Sequence, residues 1–218
     1  MKIGVLALQG DVPEQRRAFE RLLGPGAVVH VLDPAGLSEV DALVIPGGES
    51  TTIAQLIDQA GLRTPLLRRI EGGLPVLATC AGLILLSARI EPVPGLREPV
   101  PLRVLEITVR RNDYGRQRES FEAPVGVEGL EEAPFPGVFI RAPRILSRGP
   151  KAHAIANRGD EIVGVSSGRV WGFTFHPELS DDPRLHELFL SETLGWKRQS
   201  QKTSRTATKS PTATATKR

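Results

Sequence analysis

The chain of 218 residues has one cysteine, one methionine, one tyrosine and two tryptophans. A single cysteine excludes an internal disulfide, so nothing in the sequence calls for an oxidising compartment. No apolar run is long enough to span a bilayer. The N-terminus, Met1-Lys2-Ile3-Gly4-Val5-Leu6, reads straight into a strand and lacks a signal-peptide layout. These absences lead us to expect a cytoplasmic protein with no membrane partner. Acidic residues are missing from the C-terminal stretch. Residues 197–218 carry seven basic side chains and no carboxylate, so setting them aside takes the formal charge from +3 to −4. The body is thus mildly acidic, and the basic balance is weak evidence for nucleic acid, which is not expected as a partner.

What is present is ordinary for a globular domain: 40% hydrophobic and 24% charged residues. One core can span residues 1–196. The low-complexity tail of Ser, Thr, Ala, Lys and Arg after it has almost nothing to bury and reads as a disordered, solvated segment. In the first half, Ile/Val/Leu-rich strands at about 1–8, 27–32, 41–45 and 75–79 alternate with helical patterns at 12–23, from Ser50 or Thr51 (as cap) to about Ala60, and at 64–71. Such alternation predicts an α/β fold of three layers, a mostly parallel central sheet flanked by helices. After Pro92 the texture changes to short strands punctuated by Gly and Pro, a β-rich second half that extends or flanks the first sheet. Glu91 to Pro101 reads as a proline-rich surface loop. Leu185, Leu188 and Phe189 mark a C-terminal helix.

Three segments carry chemistry. Cys80 sits in Ala78-Thr79-Cys80-Ala81-Gly82, between a strand-like run and the helix-compatible Leu83-Ile84-Leu85-Leu86. A lone cysteine in an apolar run is usually inert. Small neighbours on both sides instead suit a nucleophile elbow, where the chain packs tightly around a strained residue and the helix start favours thiolate. His176 and Glu178, after the strand-like Val170 to Phe175, supply an acid/base and a carboxylate to orient it. His30, His153 and His186 lack such a setting. The third segment is Pro46-Gly47-Gly48-Glu49-Ser50. Read blandly it is a capped turn; its glycines also let backbone N–H groups approach a ligand, and Gly48 with the Ala81 amide can form an oxyanion hole.

These residues resemble a class I, triad-type glutamine amidotransferase. Within that superfamily Leu8-Gln9-Gly10, Pro46-Gly-Gly-Glu-Ser-Thr-Thr52, Thr79-Cys-Ala-Gly-Leu-Ile84, Arg111-Asn112, Tyr114-Gly115-Arg116-Gln117, Ser120-Phe121-Glu122, Phe139-Ile140-Arg141-Ala142-Pro143 and Phe175-His-Pro-Glu178 resemble the glutaminase subunit of pyridoxal 5′-phosphate synthase. Ala78 departs from the Gly usual there. The resemblance implies hydrolysis of L-glutamine to glutamate and ammonia, with Cys80 as nucleophile, His176 as acid/base and Glu178 as its orienting partner. It implies a glutamine site of Gly48, Glu49, Ser50, Arg111, Ile140 and Arg141, with no metal and no cofactor. Arg111 or Arg141 would pair with the substrate α-carboxylate, and Glu49 would hold the α-ammonium. It also implies a partner: a barrel-shaped synthase subunit that receives the ammonia, in a hetero-oligomer whose docking completes the oxyanion hole.

Three other readings stay open at this point. One is a glutaminase subunit serving a different acceptor, against which Arg111-Asn112 and Gly115-Arg116-Gln117 speak. The second is a cysteine peptidase or small stress-response hydrolase on the same fold, which would not need Arg141 and Glu49 paired for an amino-acid head group. The third is a non-catalytic binding module on the same fold, against which the complete set of Cys80, His176 and Glu178 speaks.

Overall fold

The computed structural model describes residues 1–95, 97–113 and 120–198. Its first half is the alternation read from the sequence: β1 (Ile3–Leu6), α1 (Val12–Leu23), β2 (Val28–Val31), α2 (Pro34–Ser38), β3 (Ala42–Ile45), α3 (Ser50–Gln59), α4 (Arg63–Glu71), β4 (Val76–Thr79) and α5 (Ala81–Leu86). The second half holds β5 (Ser87–Glu91), β6 (Leu105–Arg110), β7 (Ser120–Val127), β8 (Phe135–Ile140), β9 (Arg144–Arg148), β10 (His153–Arg158), β11 (Glu161–Ser167) and β12 (Val170–Phe173). A 3₁₀ turn, Pro177–Leu179, and α6 (Arg184–Leu194) complete it.

Nine strands form one sheet in the order β2-β1-β3-β4-β12-β11-β10-β7-β8. The strands from β2 to β12 are parallel to one another; from β11 outward each neighbour is antiparallel. The β-rich half therefore both extends and flanks the first sheet, because β5, β6 and β9 form a separate three-stranded sheet. Strand β12 enters beside β4 as a parallel neighbour, with Gly172 and Ile45 both opposite Ala78.

Side-chain alternation splits the core in two. Along β3, Leu43 and Ile45 face one side, with α3, α4, α5 and the small sheet, while Ala42 and Val44 face the other. That second side is aromatic. Phe19 from α1, Phe189 from α6 and Trp171, Phe173 and Phe175 from the β12 segment pack edge-on or tilted there. Burying one such ring contributes about 2–3 kcal/mol, so the pairing of β12 with β4, which carries His176 toward Cys80, is well anchored.

The structure differs from the sequence reading at four places. Helix α3 is capped not by Ser50 or Thr51 but by Glu49, whose side chain accepts from the Thr52 amide at 2.7 Å. Helix α2 and strands β5 and β9 appear where no element was expected. All three are five residues long, too short to show a period. The tail from Gln199 onward and the Tyr114-Gly115-Arg116-Gln117 motif lie outside the described residues. Among the described residues, no helix is long and apolar enough to cross a membrane.

Candidate active site

Six chain segments end at one rim of the sheets. Asp11 follows β1, Gly48 follows β3, Cys80 follows β4, Arg111 follows β6, Ile140 and Arg141 close β8, and His176 follows β12. These are carboxyl ends of strands, where open α/β sheets present their ligand crevices. A cavity of about 160 Å³ lies there, lined by Asp11, Gly48, Glu49, Ser50, Cys80, Ile84, Arg111, Asn112, Ile140, Arg141 and His176. Eight of the residues singled out from the sequence thus share one wall. Glu178 and Ala81 stand behind it. The sequence reading missed Asp11 altogether.

Cys80 makes the elbow. Its backbone sits at φ 46°, ψ −102°, between the last residue of β4 and the first of α5. A left-handed φ at a non-glycine costs roughly 1–3 kcal/mol and persists only where surroundings impose it. Here the Cys80 amide donates to the Phe173 carbonyl at 2.9 Å, and the Ile84 amide donates to the Cys80 carbonyl at 3.2 Å. Among the described residues four non-glycines have positive φ, and three of them, Cys80, Asn112 and Arg141, line the cavity. Strain is therefore concentrated at the site. Cys80 is 7% exposed, and its Sγ points at the Ile140 carbonyl 3.9 Å away. The thiol is buried beside the imidazole and open to the cavity, not sealed in the core.

His176 Nδ1 lies 2.8 Å from Glu178 Oε1. An ionised carboxylate only accepts, so Nδ1 carries the hydrogen and Nε2 is left for the thiol. Glu178 is itself held. Gln15 Nε2 donates to Thr79 Oγ1 at 3.1 Å, and Thr79 Oγ1 donates to Glu178 Oε1 at 3.4 Å, both bonds being buried. Burial opposes charge on the ring. Hydrogen bonds with Asp11, Cys80 and Glu178, and the negative charge of Glu178, outweigh it, and the imidazole is pushed up to about 12. Asp11, His176 and Glu178 also form a His/Asp/Glu group whose ligand atoms lie within 4.8 Å. Their contacts are at hydrogen-bond distance, so the group is accounted for without an ion.

The cavity mouth is built around Arg111, 8% exposed at the end of β6. Its guanidinium donates to Glu49 Oε1 at 3.1 Å, to the Arg97 carbonyl at 2.8 Å and to Thr51 Oγ1 at 3.3 Å, with Glu98 at 3.8 Å. Part of the proline-rich segment, expected as a surface loop, therefore serves as a support for the cavity. Burial works against the charge of Glu49, but hydrogen bonds from Thr52, the Thr51 amide and the Arg111 charge hold its carboxyl below the usual range. Glu49 and Arg111 are thus committed to each other. Arg141 has no ion pair among the described residues, and it lines the cavity.

Gly48 sits at φ 148°, where a Cβ would lie 2.6 Å from Gln9 Oε1. That oxygen accepts from the Glu49 amide at 2.8 Å, so Gln9 braces the turn ahead of α3. Ala81, the first residue of α5, has one of the amides a helix start leaves without an internal acceptor.

The chain is similar to known glutamine amidotransferases. Residues 5–194 match the SNO glutamine amidotransferase family. Relatives described as pyridoxal 5′-phosphate synthase subunit PdxT include one from Pyrococcus furiosus, 49% identical over 88% of this chain and 98% of its own length. Another, from Geobacillus kaustophilus, is 50% identical over 88% and 94%. A solved glutamine amidotransferase superposes with a TM-score of 0.81 at 44% identity, covering 88% of this chain and 99% of its own. A chain of the PurLQS structure from Thermotoga maritima shares the fold, with a TM-score of 0.61 at 14% identity over 89% of this chain and 99% of its own. With the family matched from β1 to the end of α6, this chain belongs to the SNO glutamine amidotransferases.

Proposed function

We infer that the protein is the glutaminase subunit of a pyridoxal 5′-phosphate synthase: it hydrolyses L-glutamine to L-glutamate and passes the ammonia to a synthase subunit. The observation that carries this reading is the junction of Cys80 and His176, backed by Glu178, on a cavity with room for one amino acid, in a chain nearly half identical to synthase subunits along its folded length.

The chemistry follows from the geometry. With its proton held on His176 Nε2, Cys80 Sγ attacks the side-chain carbonyl carbon of glutamine. The Gly48 and Ala81 amides receive the negative charge that develops on oxygen. The imidazolium then protonates the departing nitrogen, which leaves as ammonia, and a thioester remains on Cys80. Water, deprotonated by the same imidazole, cleaves the thioester to glutamate and restores the thiol. Glu178 keeps the ring oriented throughout. Arg141, as the uncommitted cation, takes the α-carboxylate. Glu49, Ser50 and Ile140 form the rest of the wall, and Arg111 acts by holding Glu49.

Ammonia released into water would be protonated and lost as a nucleophile. A closed route into a second subunit solves that, which is why the reading includes a hetero-oligomer acting in the cytoplasm. The test is glutamate formation from glutamine, with and without the synthase subunit, for the wild type and Cys80→Ala. We expect turnover that rises with the partner and vanishes in the variant while binding of the partner persists. Full activity of Cys80→Ala would remove Cys80 from the mechanism.

A further inference from the structure

Two carboxylates, not one, meet the imidazole nitrogen remote from the thiol. Glu178 Oε1 is 2.8 Å from His176 Nδ1, and Asp11 Oδ2 is 3.3 Å from the same atom. Resting on the functional reading above, we propose that Asp11 is a positioning residue for the reaction: it shares the Nδ1 hydrogen of His176 with Glu178 and stabilises the imidazolium formed when Cys80 gives up its proton.

The local structure of Asp11 points to this role. It occupies the N-cap of α1, a place where an aspartate ordinarily accepts from its own helix. Its side chain makes no cap hydrogen bond. The carboxylate is turned away from the helix and toward the ring. Its backbone is fixed from both sides: its amide donates to the Gly47 carbonyl at 3.1 Å, and its own carbonyl accepts from Gln15 at 3.1 Å. Gly47 leaves the space in which the two groups meet. A Cβ there would lie 2.3 Å from His176 Cε1 and 2.6 Å from Asp11 Oδ2. One N–H shared between these two oxygens would be a three-centre arrangement.

The two carboxylates differ in surroundings. The side chain of Glu178 is fully buried, while that of Asp11 is 35% exposed and lies in the cavity wall. Like charges this close repel unless a cation lies between them. A proton arriving at Nε2 supplies that cation, so the pair favours proton transfer from Sγ to the ring. The proton later leaves on ammonia, and Nδ1 keeps its hydrogen throughout. The groups around His176 are these two carboxylates and the Cys80 thiol, with Glu49, Arg111 and Arg141 in the cavity wall.

The experiment measures, over a range of pH, glutamate formation by the complex with the synthase subunit for the wild type, Asp11→Asn, Asp11→Ser and Asp11→Glu. Serine is a good helix cap, so Asp11→Ser guards against a loss that reflects folding alone. In both neutral variants we expect kcat to fall about tenfold with KM within about twofold. We expect the alkaline limb of kcat/KM, which reports loss of the imidazolium proton, to move down by about one unit or more. Asp11→Glu, which keeps the charge, holds the limb near its wild-type place. An unmoved limb in Asp11→Asn and Asp11→Ser overturns the proposal. Cys80→Ala, run alongside, separates the two levels: if it retains turnover, the functional reading fails instead.

Discussion

Gly82 packs so closely on Ile45 that a Cβ at residue 82 would lie 2.2 Å from the Ile45 carbonyl oxygen. The contact presses the first turn of α5 against the end of β3, the strand that leads into Gly47 and Gly48. It therefore sets the distance between the thiol and the turn expected to hold the oxyanion. Gly82→Ala forces the helix off the strand. Overpacking of this kind costs about 1–3 kcal/mol, and here the backbone oxygen cannot rotate away as a side chain would. We expect a lower denaturation midpoint and a fall in kcat larger than the stability loss explains. Chemical denaturation followed by kinetics at a temperature where the variant is folded checks both.

Arg111 and Arg141 are equivalent in the sequence motif and unlike in the structure. Arg111 is tied to Glu49, Thr51 and the Arg97 carbonyl; Arg141 is exposed, strained at φ 41° and unpaired among the described residues. Arg141→Ala should raise KM for glutamine about 10- to 100-fold, the loss of a charge-assisted hydrogen bond, with little change in melting temperature. Arg111→Ala should lower the melting temperature, because it leaves the partly buried Glu98 and the capping Glu49 without their cation. Equal effects of the two substitutions on KM and on melting would contradict this division of labour.

Much of this is legible in the sequence alone. The elbow at Cys80 can be read because it depends on local chemistry: small residues around a cysteine between a strand and a helix. The parallel strands can be read because Ile, Val and Leu run continuously where both faces are buried. Asp11 cannot. Its position ahead of α1 is what an ordinary helix cap looks like, and only the fold reveals that its carboxylate turns to a ring 165 residues away. Arg97 and Glu98 are hidden for a similar reason, since their value lies in Arg111, reached across a gap in sequence that carries no period. The capping role of Glu49 is masked because Ser and Thr stand beside it and are better caps by composition.

Thr79 is the hinge of a buried relay. Its hydroxyl accepts from Gln15 and donates to Glu178, and all three side chains are buried. Thr79→Val keeps the shape and removes the hydroxyl, which leaves the Gln15 amide and the Glu178 carboxylate each one partner short. The expected cost is about 1–3 kcal/mol of stability. Glu178 also loses its fixed position, so kcat should fall while KM for glutamine stays within about twofold. If kcat is unchanged at a temperature where the variant is fully folded, the relay is structural and does not support the imidazole.

His186 gives the fold a sensitivity to acid that is separate from catalysis. It lies on α6, 1% exposed, with Phe19 edge-on at 5.0 Å and Nε2 without a partner among the described residues. Burial pushes its pKa down to about 4, the Arg21 charge adds to this, and Asp182 opposes it in part. The native state therefore refuses a proton that the unfolded chain accepts near 6.5. Stability from this group is fully present above about pH 6.5 and is lost as pH falls toward 4, in total about 3 kcal/mol. His176 runs the other way. Its raised pKa contributes stability below about 6.5 that is lost only as pH rises toward 12, so the two windows do not overlap. His186→Phe keeps an aromatic ring against Phe19 and removes the titration. Urea unfolding at pH 7.5 and pH 4.5 should show a large drop for the wild type and a drop smaller by about 2–3 kcal/mol for the variant. Parallel drops in the two proteins would locate the acid sensitivity elsewhere.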